Sequence, residues 1–294
     1  MNWIQWRLNI NSEVTEPLEA LLLNSGAVSI TYQDGADRPV YEPGPGEVLM
    51  WDDLLLVALF EADVDTRAVE TQLSALPVWE GVSKSHWEVL EDKDWVRAWM
   101  DDYKPMKFGD NLWICPTWCE PPEPGATNLM LDPGLAFGSG THPTTTLCLT
   151  YLSDHIKGGE TVTDFGCGSG ILALAAAKLG AKQVIGVDHD PQAIIASKEN
   201  ADRNDIAEGH ISVYTNDNFN PNPTDGVIAN ILARTLNELV DEIVNLVKPG
   251  GWIALSGILE SQVKSVQEKY SPWIIFDEPV VLDEWVLLSG IKKP

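Results

Sequence analysis

Residues 161–188 read TVTDFGCGSGILALAAAKLGAKQVIGVD, and this stretch decides the fold class. Thr161 to Phe165 has the pattern of a short strand, and residues 166–170 form a flexible glycine turn. Ile171 to Leu179 is an apolar helix, and Gln183 to Val187 is a second strand. A strand, a glycine loop, a helix and a strand predict a doubly wound α/β sheet with a ligand at the loop. Taken alone, the glycine turn is equally compatible with an ordinary tight turn.

Asp188 follows the second strand and is the candidate for binding a sugar. A carboxylate at this strand end can accept hydrogen bonds from both hydroxyls of a ribose. The alternative is an exposed loop aspartate that binds nothing. Its position after a glycine loop and a strand favours ribose binding.

The spacing of the glycines distinguishes between two kinds of nucleotide cofactor. Dehydrogenase loops have the pattern G-x-G-x-x-G, which leaves space for a pyrophosphate. This chain has Gly166, Gly168 and Gly170, with Asp164 before them. A carboxylate there repels a pyrophosphate and attracts the cationic ammonium end of S-adenosylmethionine. We therefore expect methyl transfer from S-adenosylmethionine rather than hydride transfer from a nicotinamide, with the backbone at Gly166 and Gly168 against the cofactor.

A second glycine-rich loop lies upstream of the first. Residues 131–146 read LDPGLAFGSGTHPTTT and run into a predicted helix amino terminus capped by hydroxyl groups. So long a run of small residues in an enzyme usually closes over a ligand, and Thr145 is the candidate contact. The alternative is a helix cap and linker turn, which explains Thr141 or Thr144 and leaves the glycines unexplained.

Asn230 ends a third strand, Gly226 to Ala229. Ligands of a doubly wound sheet bind outside the carboxyl ends of its strands, so Gly166, Asp188 and Asn230 should converge on one crevice. Asn230 is the candidate catalytic residue, although it would equally well cap the helix that follows. Further strands are predicted at Ile253 to Leu255, after a turn at residues 247–252, and at Trp285 to Ser289.

The first 90 residues alternate short strands with short helices, in the order β-α-β-β-α-β of a ferredoxin-like domain. The predicted strands are Trp3–Asn9, Ala27–Gln33, Leu54–Phe60 and Val82–Leu90, and the predicted helices are Pro17–Leu23 and Thr66–Leu76. Residues 34–46 contain three prolines and three glycines and are expected to form an exposed loop. The apolar spacing of the Trp-rich residues 94–100 predicts one helix.

These patterns predict two domains joined by a linker. Residues 1–90 form the smaller amino-terminal α+β domain, residues 91–125 the linker and residues 126–294 a larger α/β domain. The proline-rich stretch at 121–125 marks where the pattern changes to strands that alternate with longer helices.

The charge of the chain narrows the choice of partners. It has 19 Lys and Arg residues against 44 Asp and Glu residues, a net charge of −25, of which −15 falls on residues 1–125. Such a surface repels phosphate backbones, so we expect no direct nucleic-acid contact and favour a basic protein partner. The open alternative is that the acidity serves solubility alone.

The composition also bears on whether the protein binds a metal and on its location in the cell. The five histidines and four cysteines show no paired metal spacing, so we expect no metal site and free, buried thiols. The longest promising apolar stretch, Ile171 to Ala177, is too short to cross a bilayer, and the first residues lack the layout of a secretion signal. We therefore expect a cytoplasmic protein without a membrane partner.

Taken together, the motifs resemble those of a class I S-adenosylmethionine-dependent methyltransferase. The resemblance rests on DFGCGSG at 164–170, Asp188, NILA at 230–233 and KPGG at 248–251. Residues 131–145 with 230–233 look more narrowly like the PrmA family, bacterial enzymes that methylate ribosomal large-subunit protein eleven. This similarity extends over nearly the whole chain.

The resemblance implies a Rossmann-like catalytic domain, a ferredoxin-like domain that recognises the ribosomal protein, and a flexible linker between them. It also implies trimethylation of lysine side chains and of the amino terminus. Separately, we expect the enzyme to be a monomer. The positions that match the family's cofactor contacts are Thr145, Gly166, Asp188 and Asn230.

The chemistry requires an amine that arrives without its proton. We expect the side-chain oxygen of Asn230 to accept amine hydrogens and aim the lone pair, and His142 is only a weak candidate for a general base. Two other classes stay open: a nicotinamide-dependent oxidoreductase, and a non-catalytic ribosome-assembly factor that keeps a methyltransferase fold.

Overall fold

The computed structural model describes residues 3–35, 53–90, 103–132, 140–219 and 222–294. The chain divides into two compact units, residues 1–99 and 100–294. Most of the predicted loop at 34–46, the predicted helix at 94–100 and residues 133–139 of the second glycine-rich loop lie outside the described residues.

The described residues of the first unit form a four-stranded sheet and two α-helices. Its elements are β1 (Trp3–Asn11), α1 (Thr15–Asn24), β2 (Ser29–Asp34), β3 (Asp53–Glu61), α2 (Thr66–Ser74) and β4 (Val82–Leu90). The strand order is β2-β3-β1-β4, and every pairing is antiparallel. This topology is ferredoxin-like, as the element order predicted.

The alternation of β1 explains how this unit builds its core. Trp6, Leu8 and Ile10 are buried, whereas the residues between them are half-buried. Successive side chains of a strand point to opposite faces, so every second residue of β1 faces the helices. The ring of Trp6 stacks on that of Trp87 in β4, with centroids 4.6 Å apart.

The second unit begins with a small three-stranded sheet formed by β5 (Met106–Phe108), β6 (Leu112–Cys115) and β7 (Thr127–Met130). Strands β5 and β6 fall within the predicted linker, 91–125. Phe108, Leu112 and Ile114 are nevertheless buried in the main core of the second unit. The described part of the linker therefore contains strands that pack against the main core of the second unit. The sequence did not predict them, because the neighbouring prolines indicated irregular structure.

The main sheet has eight strands. They are β8 (Thr161–Phe165), β9 (Gln183–Asp188), β10 (Ile211–Thr215), β11 (Thr224–Asn230), β12 (Val247–Leu259), β13 (Ile274–Phe276), β14 (Val280–Leu282) and β15 (Trp285–Lys292). The order is β10-β9-β8-β11-β12-β15-β13, with β14 beside β15. Strands β8 to β12 are parallel, and β15 runs antiparallel to β12. This confirms the doubly wound α/β sheet.

Helices cover both faces of the main sheet. They are α3 (Pro143–His155), α4 (Ile171–Lys178), α5 (Pro191–Arg203), α6 (Ala233–Glu238), α7 (Val240–Asn245) and α8 (Val263–Tyr270). Ile228 faces a core built with α3 and α4, whereas Val227 and Ala229 face the core built with α6 to α8. Because both faces are buried, the central strands read as continuous apolar runs.

The predicted turn at residues 247–252 lies inside β12. Thr224 pairs with Val247 and Gly226 with Trp252, so residues 248–251 bulge out of the ladder, and Gly250 has φ +76°.

Within the described ranges, no helix is long and apolar enough to cross a membrane. No group of potential metal ligands was found there either, and the four cysteines are free, three of them buried.

Candidate active site

The carboxyl ends of three neighbouring strands form the candidate site. Strand β8 lies between β9 and β11, and all three are parallel, so Phe165, Asp188 and Asn230 end at the same edge. The chain leaves β8 towards β9 on one side, while β11 lies on the other. This is a topological switch point, where open α/β sheets bind their ligands.

The glycine loop between β8 and α4 has a backbone that only glycine adopts easily. Gly166, Gly168 and Gly170 have φ values of +78°, +53° and +80°. A Cβ on Gly166 would lie 2.3 Å from Ile231 Cγ2, and one on Gly170 would lie 2.8 Å from Ser197 Oγ. The glycines therefore serve both conformation and close packing.

Hydrogen bonds fix the path of the loop. The backbone N–H groups of Gly166 and Cys167 both donate to the carbonyl oxygen of Val187, at 2.7 and 3.0 Å. The hydroxyl of Ser197 on α5 donates to the carbonyl of Gly168 at 3.0 Å, and Asn200 Nδ2 donates to that of Ser169 at 2.9 Å. A loop held in this way presents a preformed surface.

Helix α5 supplies anchors that the sequence reasoning missed. Besides Ser197 and Asn200 on the helix, its C-cap residue is Asn204, whose Oδ1 accepts from the N–H of Met130 at 2.7 Å and whose Nδ2 donates to the Met130 carbonyl at 2.8 Å. All three side chains are buried. Polar residues spaced three and four apart on an otherwise packed helix face were the available signal.

Asp188 lies directly beside the glycine loop. Its Oδ2 accepts from the N–H of Gly168 at 2.9 Å, and its Oδ1 accepts from the N–H of Asp190 at 3.0 Å. Asp188 is 8% exposed. These bonds hold the carboxylate at the crevice in one orientation, and each oxygen keeps further acceptor capacity for a ligand hydroxyl.

Asn230 and Thr145 meet at this edge, although 85 residues separate them. Asn230 Nδ2 donates to Thr145 Oγ1 at 3.4 Å. The alternative in which Asn230 caps the next helix is wrong, because α6 begins at Ala233 and its N-cap residue is Leu232. With its amide nitrogen directed to Thr145, Asn230 has its oxygen to offer to a substrate.

The cap of α3 differs from the prediction. His142 is the N-cap residue, and its Nδ1 accepts from the N–H of Thr144 at 3.3 Å, so Thr144 lies within the helix rather than at its cap. Burial lowers the pKa of His142 from its usual value, and Glu284 opposes that effect. A neutral imidazole suits this role because its lone pair must accept a hydrogen bond.

Asp164 has a different partner from the one predicted. It is fully buried, and its Oδ2 accepts from the N–H of Ala173 in α4 at 2.9 Å. A direct ion pair between an accessible Asp164 carboxylate and a ligand's ammonium group is therefore not supported. Burial raises the pKa of this carboxyl group to about 7, although the Ala173 N–H acts in the opposite direction.

The arrangement fits a nucleoside that carries positive charge. The groups at this edge comprise the carboxylate of Asp188, the amide of Asn230, the hydroxyl of Thr145 and a glycine loop of fixed path, and the imidazole Nδ1 of His189 lies 3.2 Å from Asp188 Oδ1. A pyrophosphate needs cationic or free N–H partners. The N–H of Gly168 is already engaged by Asp188, which argues against a dinucleotide here.

Known proteins of one family are similar to this chain over nearly its whole length. The family described as "Ribosomal protein L11 methyltransferase (PrmA)" matches residues 2–293. A protein of that name from Shewanella sp. (strain ANA-3) is 51% identical over 294 residues, covering 100% of both chains, and one from Idiomarina loihiensis is 46% identical over 292 residues, covering 99% of each. A solved structure described as ribosomal protein L11 methylase from Lactobacillus delbrueckii subsp. bulgaricus superimposes with a TM-score of 0.60 at 31% identity, over 65% of this chain and 100% of that one.

Proposed function

The chain belongs to the ribosomal protein L11 methyltransferase (PrmA) family, and we propose that it transfers methyl groups from S-adenosylmethionine to lysine side chains and to the amino terminus of ribosomal protein L11. The observation that carries this proposal is the contact between Asn230 and Thr145 beside the glycine loop. This contact places the neutral amide of Asn230, which suits hydrogen bonding to an amine, beside a glycine loop of the kind that binds a cofactor.

Residues of the second unit would hold the cofactor, which supplies an electrophilic methyl group on a positively charged sulfur. Asp188 would accept hydrogen bonds from ribose hydroxyls, and the backbone at Gly166 and Gly168 would lie against the ligand. Thr145 and Asn230 would complete the contact set. The fixed carboxylate of Asp188 and the fixed path of the glycine loop support this assignment.

The amine must lose its proton before it attacks. Removing the proton from a lysine of pKa near 10.4 at pH 7 costs roughly 4.6 kcal/mol, whereas an α-amino group near 7.8 costs only about 1.1 kcal/mol. Burial and a neighbouring positive charge both disfavour the ammonium form. A crevice at a sheet edge that holds a sulfonium therefore lowers the barrier for lysine before any general base acts.

Asn230 would orient the amine. Its Oδ1 would accept an amine hydrogen and direct the lone pair towards the methyl group, while Thr145 holds the amide in place. A neutral amide suits this task, because a carboxylate at the same position would stabilise the ammonium ion and oppose deprotonation.

The amino-terminal part would recognise the substrate. We assign residues 1–90 to recognition, residues 91–125 to the connection and residues 126–294 to catalysis. Residues 1–125 hold most of the excess negative charge, and a basic ribosomal protein would be attracted to them over long range. We also propose that the enzyme acts in the cytoplasm and as a monomer.

Intact-mass spectrometry of L11 tests this function. Purified L11 is incubated with the full chain, with and without S-adenosylmethionine, and its mass is followed over time. We expect stepwise gains of whole methyl units that need both the protein and the cofactor. Tight binding of L11 with no gain in mass would instead favour a non-catalytic assembly factor, and a response to a nicotinamide cofactor would favour an oxidoreductase.

A further inference from the structure

Asp164 is a buried acid that the function above does not use. It is the second-last residue of β8, directly before the glycine loop, and it is fully buried. Its neighbours in the sheet are Gly186 on β9 and Ile228 on β11, neither of which bears a charge. An acid in such a position is costly to ionise and calls for an explanation.

The hydrogen bonding of Asp164 is incomplete. Its Oδ2 accepts from the N–H of Ala173 at 2.9 Å. Its Oδ1 is buried and has no hydrogen-bond partner among the described residues. A single N–H donor does not offset the burial of a full negative charge.

The titratable groups that act on Asp164 add no positive charge. They are Cys148 on α3, Cys167 in the glycine loop and Asp188 at the end of β9. Burial raises the pKa of both thiols, and Asp164 raises it further, so both stay neutral near pH 7. Asp188 acts as a like charge that favours the protonated form of Asp164. The protonated form of Asp164 therefore needs no counter-ion, whereas its ionised form gains no compensating positive charge from these groups.

We propose that Asp164 determines specificity for the charge of the cofactor: it gives up its proton when the sulfonium cofactor binds, and so favours S-adenosylmethionine over the neutral-sulfur product, S-adenosylhomocysteine. The inference rests on the proposed function. Asp164 acts through space and through the loop it supports, because its side chain has no exposed surface.

The charges balance over one turnover. When the cation binds, the Asp164 proton passes to solvent and the buried carboxylate compensates the sulfonium. During transfer the bond from sulfur to methyl breaks, the sulfur keeps the electron pair and becomes neutral, and the new bond from nitrogen to carbon forms. The methylated amine carries the positive charge away with the product, and Asp164 takes a proton back from solvent.

The proton exchange falls in the neutral range because burial raises the pKa of Asp164 to about 7 in the free protein. If only the ionised form binds the cation tightly, the affinity for S-adenosylmethionine rises about tenfold between pH 6 and pH 8. The affinity for S-adenosylhomocysteine gains no such factor. The preference for the cofactor over the product therefore grows with pH.

Titration calorimetry in two buffers of different ionisation enthalpy measures the protons released on binding. We compare the full-length protein with Asp164→Asn, which has the same shape and cannot ionise. The exposed Asp202→Asn, in the last turn of α5 and away from the carboxyl edge of the sheet, is the matched control, and Cys167→Ser excludes the loop thiol as the proton source. Protons exchanged by the cofactor's own amino group cancel between variants.

At pH 7 we expect the wild-type protein to release about half a proton more than Asp164→Asn when S-adenosylmethionine binds, and no such difference with S-adenosylhomocysteine. Equal release by the two proteins would overturn the proposal. If Asp164→Asn does not fold by circular dichroism, the wild-type protein decides alone: after subtraction of each free ligand's amino-group titration, a parallel pH dependence for the two ligands overturns it. Absence of any binding would instead contradict the proposed function.

Discussion

Replacing Gly166 by alanine tests whether the glycine loop has the conformation and packing described here. Gly166 has φ +78°, and its Cβ would lie 2.3 Å from Ile231 Cγ2. A non-glycine residue in the left-handed region costs about 1–2 kcal/mol. Overpacking against a fixed methyl group adds about 1–3 kcal/mol. We therefore expect Gly166→Ala to destabilise the second unit by about 2–5 kcal/mol.

Gly250 provides a matched control for this substitution. It has nearly the same φ, +76°, and nothing lies within 4 Å of a Cβ built on it. Gly250→Ala should therefore show the conformational cost alone, about 1–2 kcal/mol. The difference between the two variants isolates the contact with Ile231.

A second substitution should relieve the contact. Ile231→Leu moves the branch away from Cβ and by itself costs less than about 1.5 kcal/mol. In the background of Gly166→Ala it should recover the overpacking part of the loss and leave the conformational part. Guanidinium unfolding followed by circular dichroism gives the stabilities, and calorimetry with S-adenosylmethionine should show at least about tenfold weaker binding for Gly166→Ala. If Gly166→Ala is as mild as Gly250→Ala, or if Ile231→Leu rescues nothing, the described loop geometry is wrong.

Three further predictions concern catalysis, recognition and acid stability. Asn230→Ala should fold yet lose most of its turnover in the L11 mass assay even at saturating cofactor, and near-normal methylation would refute its orienting role. Deletion of residues 1–90 should abolish methylation of L11 while calorimetry still detects cofactor binding, so normal modification by the truncated chain would contradict the division of labour. Hydrogen bonds from Lys248 and Thr161 lower the pKa of Asp225 to about 2. The ionised Asp225 therefore stabilises the fold above the usual aspartate pKa of about 3.9, and this contribution is lost as the pH falls towards 2. The urea midpoints of the wild-type protein and Asp225→Asn should therefore converge as the pH approaches 2. A difference between the two midpoints that stays constant with pH would exclude this linkage.

Local sequence patterns were enough to predict the elements that have a clear hydrophobic pattern of their own. Strand β8 and helix α4 lie within one residue of their predicted bounds, because an apolar run flanked by glycines can form few other structures. The ferredoxin-like order followed from alternation in strands such as β1, where one face is buried. Strands β5, β6, β7, β10, β13 and β14 were not predicted, because three to five residues contain too little periodicity.

The sequence predicted which edge of the main sheet holds the candidate site, but it did not predict the contacts between the residues of that site. Strand polarity was enough to bring Asp188 and Asn230 to one end of the sheet. The contact of Asn230 with Thr145 depends on how α3 packs, which no local pattern encodes. The anchors on α5 were missed for the same reason. The capping role of His142 was missed because hydroxyl side chains are the usual caps.

Calorimetric titration of the full-length protein with S-adenosylmethionine tests the central claim most directly, namely that a sulfonium nucleoside binds at the carboxyl edge of the main sheet and that Asp188 holds its sugar. The account predicts a single saturable site in the wild-type protein. It also predicts that Asp188→Ala loses most of the affinity while Asp202→Ala, exposed in the last turn of α5, does not. No heat of binding in the wild-type protein, or unchanged binding by Asp188→Ala, would contradict it.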